Sequence, residues 1–249
     1  MNRPGAAGWL IAHRGYPHAY PENSLAGVEA ALAAGARLVE FDIQLTRDGV
    51  PVVIHDESLS RVGDSDEEIA TLDWETASQR SIGEAGRFDS EFAQQHVPRL
   101  ADMLALVDRY PAVTAFVEIK RQSLKRFGRA PVVEAVCRVL RQASSRCVPI
   151  SFDAAALARA REYGAEAIGL VIKPWNDESR RAAERLAPDY LFIQAGRVPK
   201  GSRSLWPGEW QWAVYVVDDP DSARMLRRRG ADLIETDRFP PMLEALSAS

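Results

Sequence analysis

The sequence predicts an α/β fold, a (β/α)8 TIM barrel with a small insertion after a β-hairpin extension of strand 2. Three observations carry this. Short apolar runs rich in β-branched residues recur at 9–13, 38–43, 115–120, 148–152, 168–172, 190–194, 212–217 and 232–237. Helical patterns separate most of them, and apolar strands joined by helices form a parallel sheet covered by those helices. The length of 249 residues is also the usual size of one such barrel.

The elements follow in order. "WLIAH" (9–13) leads into a helix over 24–34, and "LVEFDI" (38–43) forms the second strand. Alternation puts Glu40, Asp42 and Gln44 on one side of it, with Phe41, Ile43 and Leu45 on the other. Asp48-Gly49 is the dipeptide favoured by a two-residue hairpin turn, and with it at the tip the returning arm, 51–55, places His55 opposite Asp42. Residues 57–96 are polar, acidic at "GDSDEE" and weakly periodic. So long a stretch between elements predicts a cap-like insertion at the mouth of a single barrel domain spanning 1–249. Helices are expected at 99–109, 130–144, 153–163, 176–186, 220–229 and 240–247. Residues 195–211 look like a long loop with one helical turn.

The bulk composition narrows the function. A net charge of −4, with 46% hydrophobic and 27% charged residues, describes a globule with ample core. It gives no basic surface for nucleic acid and no stable membrane anchor. "LRRRG" at 226–230 is expected to be a solvated helix end. Cys137 and Cys147 lack ligand-like spacing and suit a reducing compartment. The N-terminal residues show neither a signal peptide nor a membrane span, so a cytoplasmic location is expected. The tryptophans at 175, 206, 210 and 212 are expected to pack. Oligomeric state is left open.

Barrel enzymes place reactive groups at the C-terminal ends of their strands. Here the first strand ends in His13-Arg14-Gly15, and the second carries Glu40 and Asp42. The hairpin returns His55-Asp56, and the next strand ends in Glu118 and Lys120. Gln194 and Thr236-Asp237 close two later strands. Lys120 is one of four lysines among 31 cationic side chains, which makes its position less likely to be chance. Three converging carboxylates repel one another unless a hard cation such as Mg²⁺ or Ca²⁺ joins them. Two histidines suit base and acid, and two cations suit a developing oxyanion. Together these point to attack at a phosphoryl centre. His18 and His96 fall in loop and insertion, where no role is expected.

"AHRG" (12–15), "PENS" (21–24), "VEFDIQLTRDGVPVVIHD" (39–56) and "VEIK" (117–120) resemble the glycerophosphodiester phosphodiesterases. The likeness continues through "VPRL" (97–100), "SFD" (151–153) and "ADLIETDRFP" (231–240), nearly the whole chain. It implies a metal held by Glu40, Asp42 and Glu118, acid–base work by His13 and His55, and Arg14 and Lys120 on the phosphate. Glu22 matches the supporting Glu of the "PEN" motif, and Asp56 supports His55. The implied reaction cleaves a small-molecule glycerophosphodiester to glycerol 3-phosphate and an alcohol, through attack by the neighbouring hydroxyl and a cyclic phosphate. Two departures stand out. Tyr215, Val216, Val217 and Asp218 occupy a position where the family often reads "WTVN", and Glu235 stands where an aliphatic residue is usual.

Three rival readings exist. A lysophospholipase D-type reaction needs an apolar groove, which the polar insertion disfavours. A metal-dependent aldolase or isomerase has no need of two histidines. A non-catalytic phosphodiester-binding barrel is expected to lack His13 or His55.

Overall fold

In the computed structural model, which describes residues 5–200 and 204–248, eight parallel strands close into a barrel. The strands are β1 (Leu10–His13), β2 (Leu38–Leu45), β4 (Thr114–Ile119), β5 (Arg146–Ser151), β6 (Gly169–Ile172), β7 (Tyr190–Gln194), β8 (Gln211–Tyr215) and β9 (Leu233–Thr236). A ninth, β3 (Pro51–Val53), lies antiparallel on β2. Closure is made by β1, which pairs with both β2 and β9. The helices are α1 (Leu25–Ala33), α2 (Trp74–Ala77), α3 (Ala85–Phe88), α4 (Leu100–Val107), α5 (Arg121–Phe127), α6 (Arg129–Leu140), α7 (Ala154–Glu162), α8 (Asp177–Leu186), α9 (Pro220–Arg228) and α10 (Phe239–Ser247). Polar side chains set several helix starts. Ser24, Asp153, Asn176 and Asp219 each accept from the backbone N–H three residues on, and Pro220 follows one of these caps.

The strands are buried on both faces, and alternation divides their side chains. Ile11, Phe116, Val148, Ile150, Tyr190, Phe192, Ala213 and Leu233 fill the lumen, where Phe116 meets Tyr190 and Phe192 edge-on at 5.0 and 5.3 Å. The opposite faces join the helices in the larger outer core. One step further along the same lumenal rows stand His13, Glu118 and Glu235. An apolar floor therefore lies beneath a charged mouth.

The hairpin differs in register from expectation. Gln44 pairs with Val52 and Leu45 with Pro51, so Ile54 donates to Asp42 and His55 lies one residue past Asp42's partner. A tight two-residue turn would need positive φ at both Asp48 and Gly49, but only Gly49 has it, at +80°. The chain instead makes a three-residue loop, with Gly49 donating to Thr46 and Thr46 paired to Val50. His55 still reaches the mouth, because β3 ends at Val53 and the chain is free to turn there.

Residues 57–96 hold short helices around a small apolar cluster. Leu59, Val62, Ile69, Leu72, Ala77 and Ile82 pack beneath Val52, Ile54 and Val97. Four-residue helices are too short to show a period in sequence, which explains the weak pattern. α5 was not expected either: in "RQSLKRF" only Ser123 and Leu124 are buried. The four tryptophans pack on one another, with Trp175 and Trp206 ring centres 4.0 Å apart and both near Trp212. Residues 201–203 of the long loop lie outside the described residues. Among the described residues, no helix is long and apolar enough to cross a membrane.

Candidate active site

The His13-Arg14-Gly15 turn is shaped by the helix behind it. A Cβ on Gly15 would lie 2.6 Å from the backbone of Gly27 and Val28, and φ is +88°. Only glycine fits there. Arg14 also adopts positive φ, which sends its side chain back over β2. Its guanidinium donates to Glu22 at 2.9 Å and lies 3.1 Å from Asp42, while its backbone N–H donates to Glu40 at 3.2 Å.

Glu40, Asp42 and Glu118 converge as expected, each offering an oxygen within 4.8 Å of the others. Lys120 lies 3.0 Å from Asp42 and 2.8 Å from Glu118. Burial alone would raise the Asp42 pKa, but Lys120 and Arg14 hold it far below the ordinary carboxylate range. Burial and the neighbouring carboxylates of Asp42, Glu235 and Glu118 push Glu40 well above that range. Four carboxyl groups, those of Glu40, Asp42, Glu118 and Glu235, thus face two fixed cations, Arg14 and Lys120. An all-oxygen donor set with excess negative charge fits a hard divalent cation.

Both imidazoles are oriented by acids. His13 Nδ1 meets Asp237 at 2.6 Å, and His55 Nδ1 meets Asp56 at 2.5 Å. This tethering favours the tautomer that leaves Nε2 available to the cleft. Burial disfavours the His13 imidazolium, yet the Asp237 hydrogen bond and the nearby Glu235 charge lift its pKa above 6.5. Asp237 is in turn held by Asp218, which accepts from its backbone N–H at 2.9 Å and from Thr236 Oγ1 at 2.7 Å. Asp218, one of the departures noted in sequence, therefore braces the histidine's partner.

Glu22 and Asp56 are joined through a residue that the sequence alone does not single out. Arg61 donates to both oxygens of Glu22 at 2.7 Å and to Asp56 at 2.6 Å, linking the Arg14 and His55 sides. Burial opposes the charged forms of Glu22 and Asp56, but Arg61 lowers both pKa values. Arg61→Leu is expected to cost about 1–2 kcal/mol at neutral pH, a modest figure because Arg61 is half-exposed. Depressed carboxylates stabilise above their unfolded pKa values, 4.5 and 3.8, and that stability is lost as pH falls through the folded ones. The variant's melting deficit should therefore narrow below about pH 4.5. A deficit unchanged into strong acid would assign Arg61 a packing role instead.

Other contributors were also missed. Asn23 exchanges two hydrogen bonds with Asp42, at 3.0 and 3.1 Å. It sits within the "PENS" motif, a signal present in the sequence. Glu84 accepts from the Glu22 backbone at 2.7 Å, and nothing local marks it. Gln194 is exposed and bonded to Arg197, so it does not join the cleft. Glu235 does, its side chain facing His13 and Glu40. The cleft also takes in Phe152, Phe192 and Tyr215, and its volume is about 90 Å³.

A model of the glycerophosphoryl diester phosphodiesterase family matches residues 13–240. The chain belongs to that family. A glycerophosphodiester phosphodiesterase of Caldanaerobacter subterraneus subsp. tengcongensis is 27% identical over 239 residues, covering 92% of this chain and 93% of that protein. Glycerophosphodiester phosphodiesterase 1 of Mus musculus is 36% identical over 110 residues, covering 44% of this chain but only 33% of the mouse protein. The match thus spans a third of that relative's length. A phosphodiesterase of Oleispira antarctica, solved with the product sn-glycerol-3-phosphate, superposes with a TM-score of 0.84 at 25% identity, covering 97% of each chain. The family's barrel and this chain's barrel are one architecture.

Proposed function

We propose that the protein hydrolyses glycerophosphodiesters to glycerol 3-phosphate and an alcohol, with a divalent cation, Mg²⁺ or Ca²⁺, held by Glu40, Asp42 and Glu118. The observation that carries this reading is the convergence of those three carboxylates, two acid-tethered imidazoles and two cations in one cleft. The family of the chain and the product-bound structural relative support it.

The bound cation would neutralise the carboxylates and polarise the phosphoryl group. Lys120 spends two of its three donors on Asp42 and Glu118, and Arg14 has donors beyond those facing Glu22 and Asp42. Both keep N–H groups for a phosphate oxygen. In the first step the glycerol 2-hydroxyl attacks phosphorus while one imidazole Nε2 takes its proton. The other imidazole, protonated, gives its proton to the departing alcohol oxygen as the P–O bond breaks. This leaves a cyclic phosphate. Water then opens it with the proton roles reversed, releasing glycerol 3-phosphate. The small cleft holds the phosphoryl end, so the alcohol projects outward and small head groups such as choline or ethanolamine should all turn over.

We also assign the 57–96 segment a capping role on one side of the mouth. Its Arg61 and Glu84 bind the Glu22 loop, and Arg87 donates to Pro17. We further place the protein in a reducing, cytoplasmic setting, in keeping with free thiols at Cys137, which is buried, and Cys147, which is partly buried.

The mechanism is tested by comparing glycerophosphocholine with its 2-deoxy analogue at saturating metal. Attack by a positioned neighbour removes several kcal/mol of barrier, so the analogue should react slower by orders of magnitude. Equal kcat/KM for the two would favour direct attack by water.

A further inference from the structure

Glu235 has no part in the chemistry described so far. It lies on β9, one of the closing strands, directly across from Ile11 of β1, and its side chain enters the lumen between the apolar floor and the mouth. The residue is 3% exposed, and its Oε1 has no hydrogen-bond partner. An unpartnered buried carboxylate is costly, and such a group persists where a cation or donor occupies it.

Its neighbours supply the rest of a site. One nitrogen of His13, one oxygen of Glu40 and one oxygen of Glu235 lie within 4.8 Å of one another. Asp42 and Glu118 belong to the other cluster, with Glu40 common to both. The histidine is dressed as a metal ligand. Its Nδ1 is held by Asp237, itself anchored by Asp218, which turns the Nε2 lone pair toward Glu40, 3.9 Å away.

We propose that His13, Glu40 and Glu235 form a second divalent-cation site that shares Glu40 with the first. One imidazole nitrogen and two carboxylates suit Zn²⁺ or Mn²⁺, whereas the all-oxygen cluster beside it suits Mg²⁺ or Ca²⁺. The two sites are therefore chemically different. A cation here takes the Nε2 lone pair of His13, so its occupancy inhibits turnover. That consequence rests on the acid–base role proposed for His13; the site itself does not.

The test titrates Zn²⁺ calorimetrically into protein kept in excess Mg²⁺, and follows Zn²⁺ inhibition of glycerophosphocholine hydrolysis in parallel. Wild-type protein is expected to bind one Zn²⁺ that Glu118→Gln retains and Glu235→Leu weakens by on the order of 10–100-fold. Sensitivity to Zn²⁺ inhibition should fall by the same factor in Glu235→Leu. Should the leucine variant lose its cooperative melt, Glu235→Gln, which keeps the shape and removes the charge, carries the comparison. Equal Zn²⁺ affinity in wild type and the Glu235 variant overturns the site. Glu235-dependent Zn²⁺ binding that leaves wild-type turnover uninhibited upholds the site and overturns the acid–base assignment of His13.

Discussion

Stripping divalent cations from the protein is expected to abolish glycerophosphodiester hydrolysis, and returning Mg²⁺ or Ca²⁺ should restore it. The physical reason is charge. Without the cation, the charges of Arg14 and Lys120 are taken up by Asp42 and Glu118, and nothing remains to bind and polarise a phosphodiester anion. Lys120 and Arg14 both lie against Asp42, which spends their charge within the protein. Glu40→Ala, Asp42→Ala and Glu118→Ala should each act like chelation. Asp42→Ala has a further cost, because it leaves Lys120, Arg14 and Asn23 without their common partner in a buried setting. Its melting temperature should fall most of the three. Full activity of metal-stripped protein in excess chelator would end the proposal of a metal-assisted reaction.

His13→Ala and His55→Ala should each lower kcat by about 10²–10⁴-fold, the range for loss of a positioned acid or base. KM should move far less, since in the proposed site the metal, Arg14 and Lys120 would bind the phosphate. Asp237 and Asp56 fix the tautomer and direction of the two imidazoles. Asp237→Asn should therefore reduce kcat with little change in KM, by less than removal of His13 itself. A histidine variant that kept near wild-type kcat would show that its imidazole carries no proton in the rate-limiting step.

Much of this site was legible because its parts are local. Two-residue alternation places Glu40 with Asp42 and fixes which residues of "VEFDIQL" face the lumen, whatever the rest of the chain does. Several strands carry polar groups at or beside their C-terminal ends, as at His13, Lys120 and Asp237, and in a parallel barrel those ends share one rim. The motifs around His13, Glu22, Glu40, His55 and Glu118 brought with them a family and a reaction. Boundaries of long elements were also legible where a cap or glycine marked them, as at Ser24 before α1. The hairpin register was not. One residue's φ distinguishes a two-residue turn from a three-residue loop, and Asp-Gly permits both.

What the sequence by itself determined was the fold class, the lumenal rows and the candidate polar groups at the mouth. What the tertiary structure alone decided was how those groups are held. Asp237 meets His13 only because β9 closes against β1 from the far end of the chain. Arg61 joins Glu22 to Asp56 only because an insertion without visible periodicity builds its own apolar cluster and lies over the rim. Glu235 read in sequence as one acid out of place in an apolar strand. Closure set it beside His13 and Glu40 and left it without a partner. Alternation and capping act over a few residues and are written in the local pattern. Pairing across a closed barrel depends on strand order and register, which no short stretch of chain encodes.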